Sequence, residues 1–89
     1  LEESVTLNMP TRLARMLLRL AKIYGKQYPD GIHIELKLSQ RELGSYVGLA
    51  RENINRQLAQ WRHDGIASIE DGMIVLHDSR ALERIAAAG

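Results

Sequence analysis

The spacing of apolar residues predicts an amphipathic helix near the start of the chain. The apolar side chains of residues 10–24 recur at intervals of three and four, which places them on one face of a helix. We expect this helix to begin near Pro10, which suits a first turn, and to end at Gly25 as a left-handed C′ residue. The apolar positions are Leu13, Met16, Leu17, Leu20 and Tyr24.

The next segment combines a turn signal with a strict alternation of apolar and polar residues. Residues 25–31 read GKQYPDG, and the Pro-Asp-Gly sequence favours a turn, so we predict a loop there. Residues 32–37 read IHIELK, with every second side chain apolar. This period predicts a half-buried β-strand.

Two short helices separated by a glycine turn are predicted next. Ser39 and Glu42 have the three-residue spacing of a capping box, which marks the start of a helix that Gly48 ends. A second helix is predicted over residues 51–64. Its buried stripe is expected to be Ile54, Leu58 and Trp61. Two short helices joined by a turn that contains glycine are typical of a helix-turn-helix motif.

A hairpin and a last helix complete the predicted architecture. Asp71 and Gly72 lie between two β-prone stretches, and Asp-Gly is a strong signal for a two-residue hairpin turn. Asp78 or Ser79 is expected to cap a short final helix. The order of elements predicts a mainly α fold with a small β-hairpin wing, a winged helix-turn-helix, over residues 9–89.

The composition fits one small domain. The 89 residues include 45% hydrophobic residues and no cysteine, which argues against disorder and excludes a disulfide framework or a zinc finger. No apolar run approaches the ~20 residues of a membrane span, and the lack of cysteine fits a cytoplasmic location. The chain begins with Leu1, and residues 1–8 lack a clear period. We therefore expect a fragment whose first residues connect to an upstream sensor or dimerisation domain.

The net charge of +1 hides an uneven distribution of charge. Residues 11–26 carry five basic side chains and no acidic one, whereas residues 64–89 carry five acidic side chains and two basic ones. Such asymmetry predicts a positive face for a negatively charged partner. The alternative interpretation is an ordinary solvated helix face.

The outward side of the second helix of the motif carries residue types that read base edges. Once the apolar stripe is buried, Glu52, Asn55 and Arg56 face outward, and Arg51 reaches outward from the first turn. Arginine matches the acceptors of guanine, glutamate accepts from cytosine, and asparagine pairs with adenine. These four residues are predicted to read bases from the major groove of DNA. The alternative is a solvated helix with an internal Glu52–Arg56 pair.

A second set of residues is expected to contact DNA phosphates. The first helix of the motif begins after Ser39, and a helix N-terminus can hold a phosphate with help from Gln40 or Arg41. Capping alone also explains Ser39. His63 lies on the outward face of the second helix and is a further phosphate candidate.

Metal-binding and catalytic chemistry are not expected. His33, His63 and His77 lie on different predicted elements, without ligand spacing and without a cysteine. The sequence contains no nucleophile motif, no phosphate-binding glycine loop and no carboxylate cluster in a suitable context. We predict no metal, no cofactor in this domain and no enzymatic activity.

The motif resembles a known family over the stretch LSQRELGSYVGLARENINRQLAQWRHDGIASIEDGMIVL. It is similar to the C-terminal DNA-binding domain of the cyclic-AMP-receptor-protein/fumarate-nitrate-regulator (Crp/Fnr) family of bacterial transcription regulators. The resemblance extends over roughly residues 9–78 and centres on RENINR, which is similar to the family's Arg-Glu-x-x-x-Arg recognition motif. It implies that Arg51, Glu52 and Arg56 read a half-site of the TGTGA type and that Asn53 lies near a phosphate.

The resemblance also implies properties of the whole protein. Family members act as homodimers on two half-sites about one helical turn (~34–36 Å) apart. Their upstream domain binds a cyclic nucleotide or another effector, and some members touch RNA polymerase with the loop that corresponds to Tyr28. We therefore expect double-stranded DNA as the partner, RNA polymerase as a second candidate, and no membrane.

Two positions depart from the family pattern. Ala50 stands where the family often has serine or threonine, which removes a helix cap worth about 1 kcal/mol. Asn55 stands where many members have a glycine or a small residue, and it is expected either to add an adenine contact or to alter the half-site.

Two other functions stay open at this point. A winged helix can bind a protein partner, and a DNA-binding module can act architecturally, without sequence preference. The exposed RENINR segment favours DNA over a protein partner, because a protein interface would more often present apolar anchors.

Overall fold

The computed structural model describes residues 9–48 and 50–88, which form four helices and a four-stranded antiparallel sheet. The helices are α1 (Met9–Tyr24), α2 (Gln40–Val47), α3 (Arg51–His63) and α4 (Ser79–Ala88). The strands are β1 (Gly25–Tyr28), β2 (Gly31–Ile34), β3 (Ala67–Glu70) and β4 (Met73–Leu76), in the order β1-β2-β4-β3. The predicted winged helix-turn-helix is confirmed, with β3 and β4 as its wing. The connection predicted for residues 1–8 lies outside the described residues.

The apolar stripes that the sequence predicts form one core, except that Tyr24 at the end of α1, predicted to lie in the stripe, is 41% exposed. All four helices and the two central strands contribute side chains that are fully buried. The largest of these are Leu13, Leu17, Ile34, Leu43, Ile54, Leu76, Leu82 and Val75. Leu58 and Trp61 are also buried, so the predicted inner stripe of α3 is confirmed. Burial of this stripe fixes which side of α3 faces away from the domain.

The first hairpin differs from the sequence prediction. Residues 25–28 were expected to be a loop, but they form β1, which pairs with β2 across a two-residue turn of Pro29 and Asp30. All four residues of β1 are exposed, so the strand has no alternation that a sequence pattern could reveal. Pairing with β2 is what holds this segment in an extended conformation.

The second strand is shorter than its alternating pattern predicts. The prediction covered residues 32–37, whereas β2 ends at Ile34. Beyond that point the N–H of Glu35 donates to the carbonyl oxygen of Tyr24 at 2.9 Å, and the N–H of Leu36 donates to that of Ile34 at 2.8 Å. The first bond extends the pairing with β1 by one position, and the second closes a three-residue turn at Glu35, after which the chain leaves the sheet. Leu36 still packs against the core.

Gly25 joins α1 directly to β1 and is not the left-handed cap expected from the sequence. It is absent from the described glycines with positive φ, which are Gly31, Gly48, Gly65 and Gly72. A Cβ atom at Gly25 would overlap the carbonyl oxygen of Ala21 and lie 2.9 Å from Cγ2 of Ile32. Glycine is therefore needed here for space between helix and sheet.

The predicted caps of α2 and α4 are confirmed. The hydroxyl of Ser39 accepts from the N–H of Glu42 at 3.0 Å, and the carboxylate of Glu42 accepts from the N–H of Ser39 at 2.9 Å, which completes the capping box. At α4, the carboxylate of Asp78 accepts from the N–H of Ala81 at 3.1 Å. These bonds satisfy N–H groups that a helix leaves unpaired at its start.

α4 is held against α1 by two side chains of α1. The hydroxyl of Thr11 donates to the carbonyl oxygen of Ile85 at 3.1 Å, and Nε of Arg15 donates to that of Ala86 at 2.8 Å. The last carbonyl groups of a helix have no partner within the helix, so both bonds satisfy otherwise unpaired acceptors. α1 and α4 therefore pack together, and α1 also contacts β2 and α2.

The wing is a tight hairpin linked to the first hairpin by a histidine ring. Asp71 and Gly72 have φ values of 55° and 79°, as a type I′ turn requires, so the predicted turn is confirmed. One ring nitrogen of His77 lies 2.8 Å from the carbonyl oxygen of Asp30, and the other lies 2.8 Å from the hydroxyl of Ser68. This bridge fixes the wing relative to β1 and β2.

Candidate nucleic-acid interface

α2 and α3 form the two arms of the motif, separated by residues 48–50. Gly48 caps α2 in the left-handed conformation, with φ 71°, and its N–H donates to the carbonyl oxygen of Gly44. Gly44 is itself buried. Ala50 has extended backbone angles before α3, and its side chain makes no capping bond. α3 therefore begins without a side-chain cap, and its first two residues, Arg51 and Glu52, are exposed.

The four predicted base-reading residues lie on the exposed surface of α3. Arg51, Glu52, Asn55 and Arg56 are all exposed, whereas Ile54 between them is fully buried. The structure thus brings the four side chains to the same end of one helix. Their exposure follows from the buried stripe, and their contact with bases stays a prediction.

Arg56 pairs with Asn53 and not with Glu52. Its Nη1 atom donates to Oδ1 of Asn53 at 3.2 Å, one turn earlier on the helix. In the part of the chain that the structure describes, Glu52 and Arg56 form no ion pair. The internal pair that a merely solvated helix would be expected to form is therefore not formed, and the carboxylate of Glu52 remains exposed.

The predicted phosphate-contacting residues have different surroundings. Ser39 and Arg41 lie exposed at the start of α2, where Ser39 is engaged in the capping box. The side chain of Gln40 lies outside the described part of the structure. Asn53 is half-buried and accepts the bond from Arg56. The side chain of His63 is 84% exposed at the far end of α3.

His63 lies beside a carboxylate. Its Nδ1 atom is 3.3 Å from Oδ1 of Asp64, and the amide of Gln60 donates to both oxygens of that carboxylate at 3.2 Å. The hydrogen bond from Gln60, followed by that from His63, holds the pKa of Asp64 below its usual range. Asp64 therefore remains ionised at neutral pH, and its negative charge beside His63 opposes the approach of a phosphate.

The basic residues of α1 do not form one continuous surface that is available to a partner. Arg15 donates to α4, and the guanidinium of Arg12 lies beside Gly48 at the turn of the motif. Arg19 and Lys22 are exposed farther along the helix. The basic residues of the predicted positive face therefore have different surroundings. One binds another helix, one lies at the turn of the motif, and two are exposed to solvent.

A cleft between α3 and β3 was not predicted from the sequence. Its volume is about 380 Å³, and it opens beside the exposed face of α3. The cleft is lined by Asn55, Leu58, Ala59, Arg62 and Ile69. Sequence offered one signal: Asn55 and Arg62 are seven residues apart and so share one side of a helix. The approach of β3 to that side is a tertiary feature that no local pattern contains.

The described residues contain no arrangement suited to a metal ion. Within residues 9–48 and 50–88, no group of three or more histidine, cysteine, aspartate or glutamate side chains is placed to hold one. No helix in the same ranges is both long enough and apolar enough to cross a membrane.

The family profile described as the Crp-like helix-turn-helix domain matches residues 11–85. The match includes α1, both arms of the motif, the whole sheet and the first part of α4. It therefore covers every residue of α3 that is predicted from the sequence to contact DNA.

Two curated relatives are similar to the chain over different lengths. The chain is 33% identical over 84 residues to a CRP-like cAMP-activated global transcriptional regulator of Mycobacterium tuberculosis, covering 94% of the chain and 38% of that protein. It is 42% identical over 62 residues to an anaerobic regulatory protein of Bacillus subtilis, covering 68% of the chain and 26% of that protein. The chain thus spans well under half the length of both relatives.

Solved structures of transcription regulators share the fold. The CO-dependent transcription factor CooA from Carboxydothermus hydrogenoformans superposes with a TM-score of 0.84 at 26% identity, over 92% of the chain and 38% of that protein. A CRP-family transcriptional regulator from Thermus thermophilus superposes with a TM-score of 0.78 at 30% identity, over 90% of the chain and 40% of that protein.

Proposed function

Because the chain belongs to the family of Crp-like helix-turn-helix domains found in transcription regulators, we propose that it binds double-stranded DNA in a sequence-specific manner. α3 is the recognition helix and lies in the major groove. The observation that carries the proposal is the exposed set of Arg51, Glu52 and Arg56 on the helix whose opposite side is buried. A protein-binding helix would be expected to present apolar anchors there.

The base-reading roles follow from hydrogen-bonding geometry. Arg51 and Arg56 each offer paired donors to O6 and N7 of a guanine, while Glu52 accepts from the exocyclic amine of a cytosine. Asn55 is exposed on the same helix and pairs with an adenine. Together these contacts favour a half-site of the TGTGA type, altered at the position that Asn55 reaches.

Phosphate contacts supply much of the affinity. Arg41 and the N-terminus of α2, with Ser39 and Gln40, approach one strand, and Asn53 and His63 approach phosphates along α3. Each phosphate neutralised by a cation releases counterions, so the observed affinity falls as salt rises. Half to two-thirds of the hydrogen bonds in such interfaces go to phosphate and sugar, which set the register that base contacts need.

In the whole protein, this domain acts downstream of a regulatory domain. The relative from Mycobacterium tuberculosis is described as cAMP-activated and the structural neighbour as CO-dependent, so we propose a small-molecule effector bound by a domain upstream of this one. The protein acts in the cytoplasm as a homodimer on two half-sites, and the β1–β2 turn beside Tyr28 offers a contact surface for RNA polymerase.

The proposal is tested by fluorescence anisotropy with two labelled duplexes. One contains a TGTGA-type half-site, and the other has the same base composition in scrambled order. Titrations at two salt concentrations separate base reading from phosphate attraction. Tighter binding to the half-site at both salt concentrations supports the proposal. Equal binding to both duplexes indicates an architectural module, and absence of binding at low salt indicates a protein-binding winged helix.

A further inference from the structure

The cleft between α3 and β3 continues the exposed face of the recognition helix. Asn55 belongs to both surfaces, because it lines the cleft and stands beside Arg56 on α3. Arg62 lies two helical turns farther along the same side, about 10 Å from Asn55 along the axis. We infer that this α3–β3 cleft holds a segment of the sugar-phosphate backbone of the bound duplex, with Arg62 as the phosphate ligand. The inference rests on the proposed function.

The charge of the cleft fits a phosphate group. Of its five lining residues, Arg62 alone is charged, and it is exposed. Its guanidinium has no hydrogen bond or ion pair with any residue that the structure describes. Arg15 and Arg56, by contrast, already donate to protein acceptors. A guanidinium with unused donors matches two oxygens of one phosphate.

Apart from Asn55 and Arg62, the lining of the cleft is apolar and matches the carbon edge of a deoxyribose ring. Ile69 on β3 is 36% exposed, and Ala59 on α3 is exposed across from it. A single exposed isoleucine is common on protein surfaces and would not by itself indicate a site. Here the apolar wall and the arginine line the same cleft, so one sugar and its phosphate would fill it together.

The wing tip explains why the backbone enters the cleft and does not pass over the hairpin. Glu70 and Asp71 are exposed at the tip, and their carboxylates repel phosphates. Arg62 is on the helix side of the cleft and carries the opposite charge. The strand is therefore drawn toward α3 and away from the turn, where it reaches Arg62 and Ile69 together.

The test compares two arginine variants of equal charge change. Arg62→Gln removes the proposed ligand, and Arg84→Gln removes an exposed arginine of α4, which packs against α1 and lines no part of the cleft. Affinity for the half-site and scrambled duplexes is measured over a range of salt concentrations. For Arg62→Gln we expect weaker binding to both duplexes by the same factor, and a salt slope reduced by about 0.9, the value for one phosphate. Arg84→Gln should leave the slope unchanged.

Two further variants test the charge at position 62 and the apolar lining of the cleft separately. Arg62→Lys should retain the slope, and Ile69→Glu should weaken binding to both duplexes because it places a carboxylate opposite the phosphate. Circular dichroism confirms that each variant is folded. If the wild-type chain prefers the half-site but Arg62→Gln changes the slope no more than Arg84→Gln, the cleft assignment is overturned and the proposed function stands. If the wild-type chain binds neither duplex at low salt, both fail.

Discussion

The guanidinium of Arg56 donates a hydrogen bond to the amide oxygen of Asn53 at 3.2 Å, and the carboxylate of Glu52 takes no part in it. The bond joins residues three apart on the exposed side of α3. Because it uses one donor of Arg56, it restricts the side chain while the remaining donors stay available to an acceptor. Asn53 therefore acts as a positioning residue for Arg56 in the proposed complex, in addition to its predicted place near a phosphate.

Replacement of Asn53 should weaken base discrimination without abolishing it. In Asn53→Ala, Arg56 retains its charge but loses the bond that orders it, so binding carries more entropic cost. We expect the ratio of half-site to scrambled affinity to fall by less than in Arg56→Ala. Anisotropy titration of both variants measures the two ratios. A ratio equal to that of the wild type would show that the bond has no positioning role.

A serine at position 50 should stabilise the domain. Ala50 has the extended backbone of an N-cap residue, with φ −68° and ψ 148°, but no side-chain oxygen to accept from α3. Ala50→Ser is expected to raise the free energy of unfolding by about 1 kcal/mol, and the reverse change at the α2 cap, Ser39→Ala, to lower it by about the same amount. Urea unfolding measures both, and a destabilised Ala50→Ser variant would contradict the cap assignment.

Substitution at Gly25 should destabilise the domain by crowding, whereas substitution at Gly65 should act through backbone strain alone. Gly25→Ala places a Cβ against the carbonyl oxygen of Ala21, and we expect a loss of about 1–3 kcal/mol. Gly65 has φ 74° with open space around it, so Gly65→Ala should cost roughly 1 kcal/mol. Thermal unfolding measures both variants, and no loss of stability in Gly25→Ala would argue against the tight α1–β1 junction.

Asp30 should contribute to the loss of stability in acid. The hydrogen bond from His33, 2.8 Å long, lowers the pKa of Asp30 below its ordinary value of 3.8. A carboxyl group with a lowered pKa in the folded state stabilises above the unfolded value, and this contribution disappears as pH falls through the folded value. Asp30→Asn should therefore flatten the fall of melting temperature below about pH 4.

The control for Asp30 is a second carboxylate in an exposed turn. Asp71→Asn removes the same charge while asparagine tolerates the left-handed conformation there. If both variants change the acid limb of the melting curve equally, the effect belongs to net charge and not to the bond with His33.

The elements that are predicted correctly from the sequence are those determined by residues close to each other along the chain. The capping box of Ser39 and Glu42 and the type I′ turn at Asp71 depend on residues within three positions of each other. The buried stripe of α3 follows from helical period alone, and so does the exposure of Arg56. Residue type and helical period were therefore sufficient to select the candidate recognition surface.

The missed features depend on contacts between distant segments. All four residues of β1 are exposed, and the segment is extended because it pairs with β2. Gly25 is required by the carbonyl of Ala21 and the side chain of Ile32, which meet only when helix and sheet are packed. The α3–β3 cleft likewise exists only after the wing has folded back beside Arg62. None of these features has a local period or motif.

The central claim is that α3 reads DNA sequence, and it is tested most directly by removing Arg56. The affinities of the wild type, Arg56→Ala and the control Arg84→Ala are measured for a TGTGA-type duplex and its scrambled counterpart at one salt concentration. We predict that Arg56→Ala loses about 1–3 kcal/mol on the target and relaxes the preference at one base position, whereas Arg84→Ala keeps the wild-type discrimination. Equal losses on target and scrambled DNA in Arg56→Ala would contradict base reading by this helix.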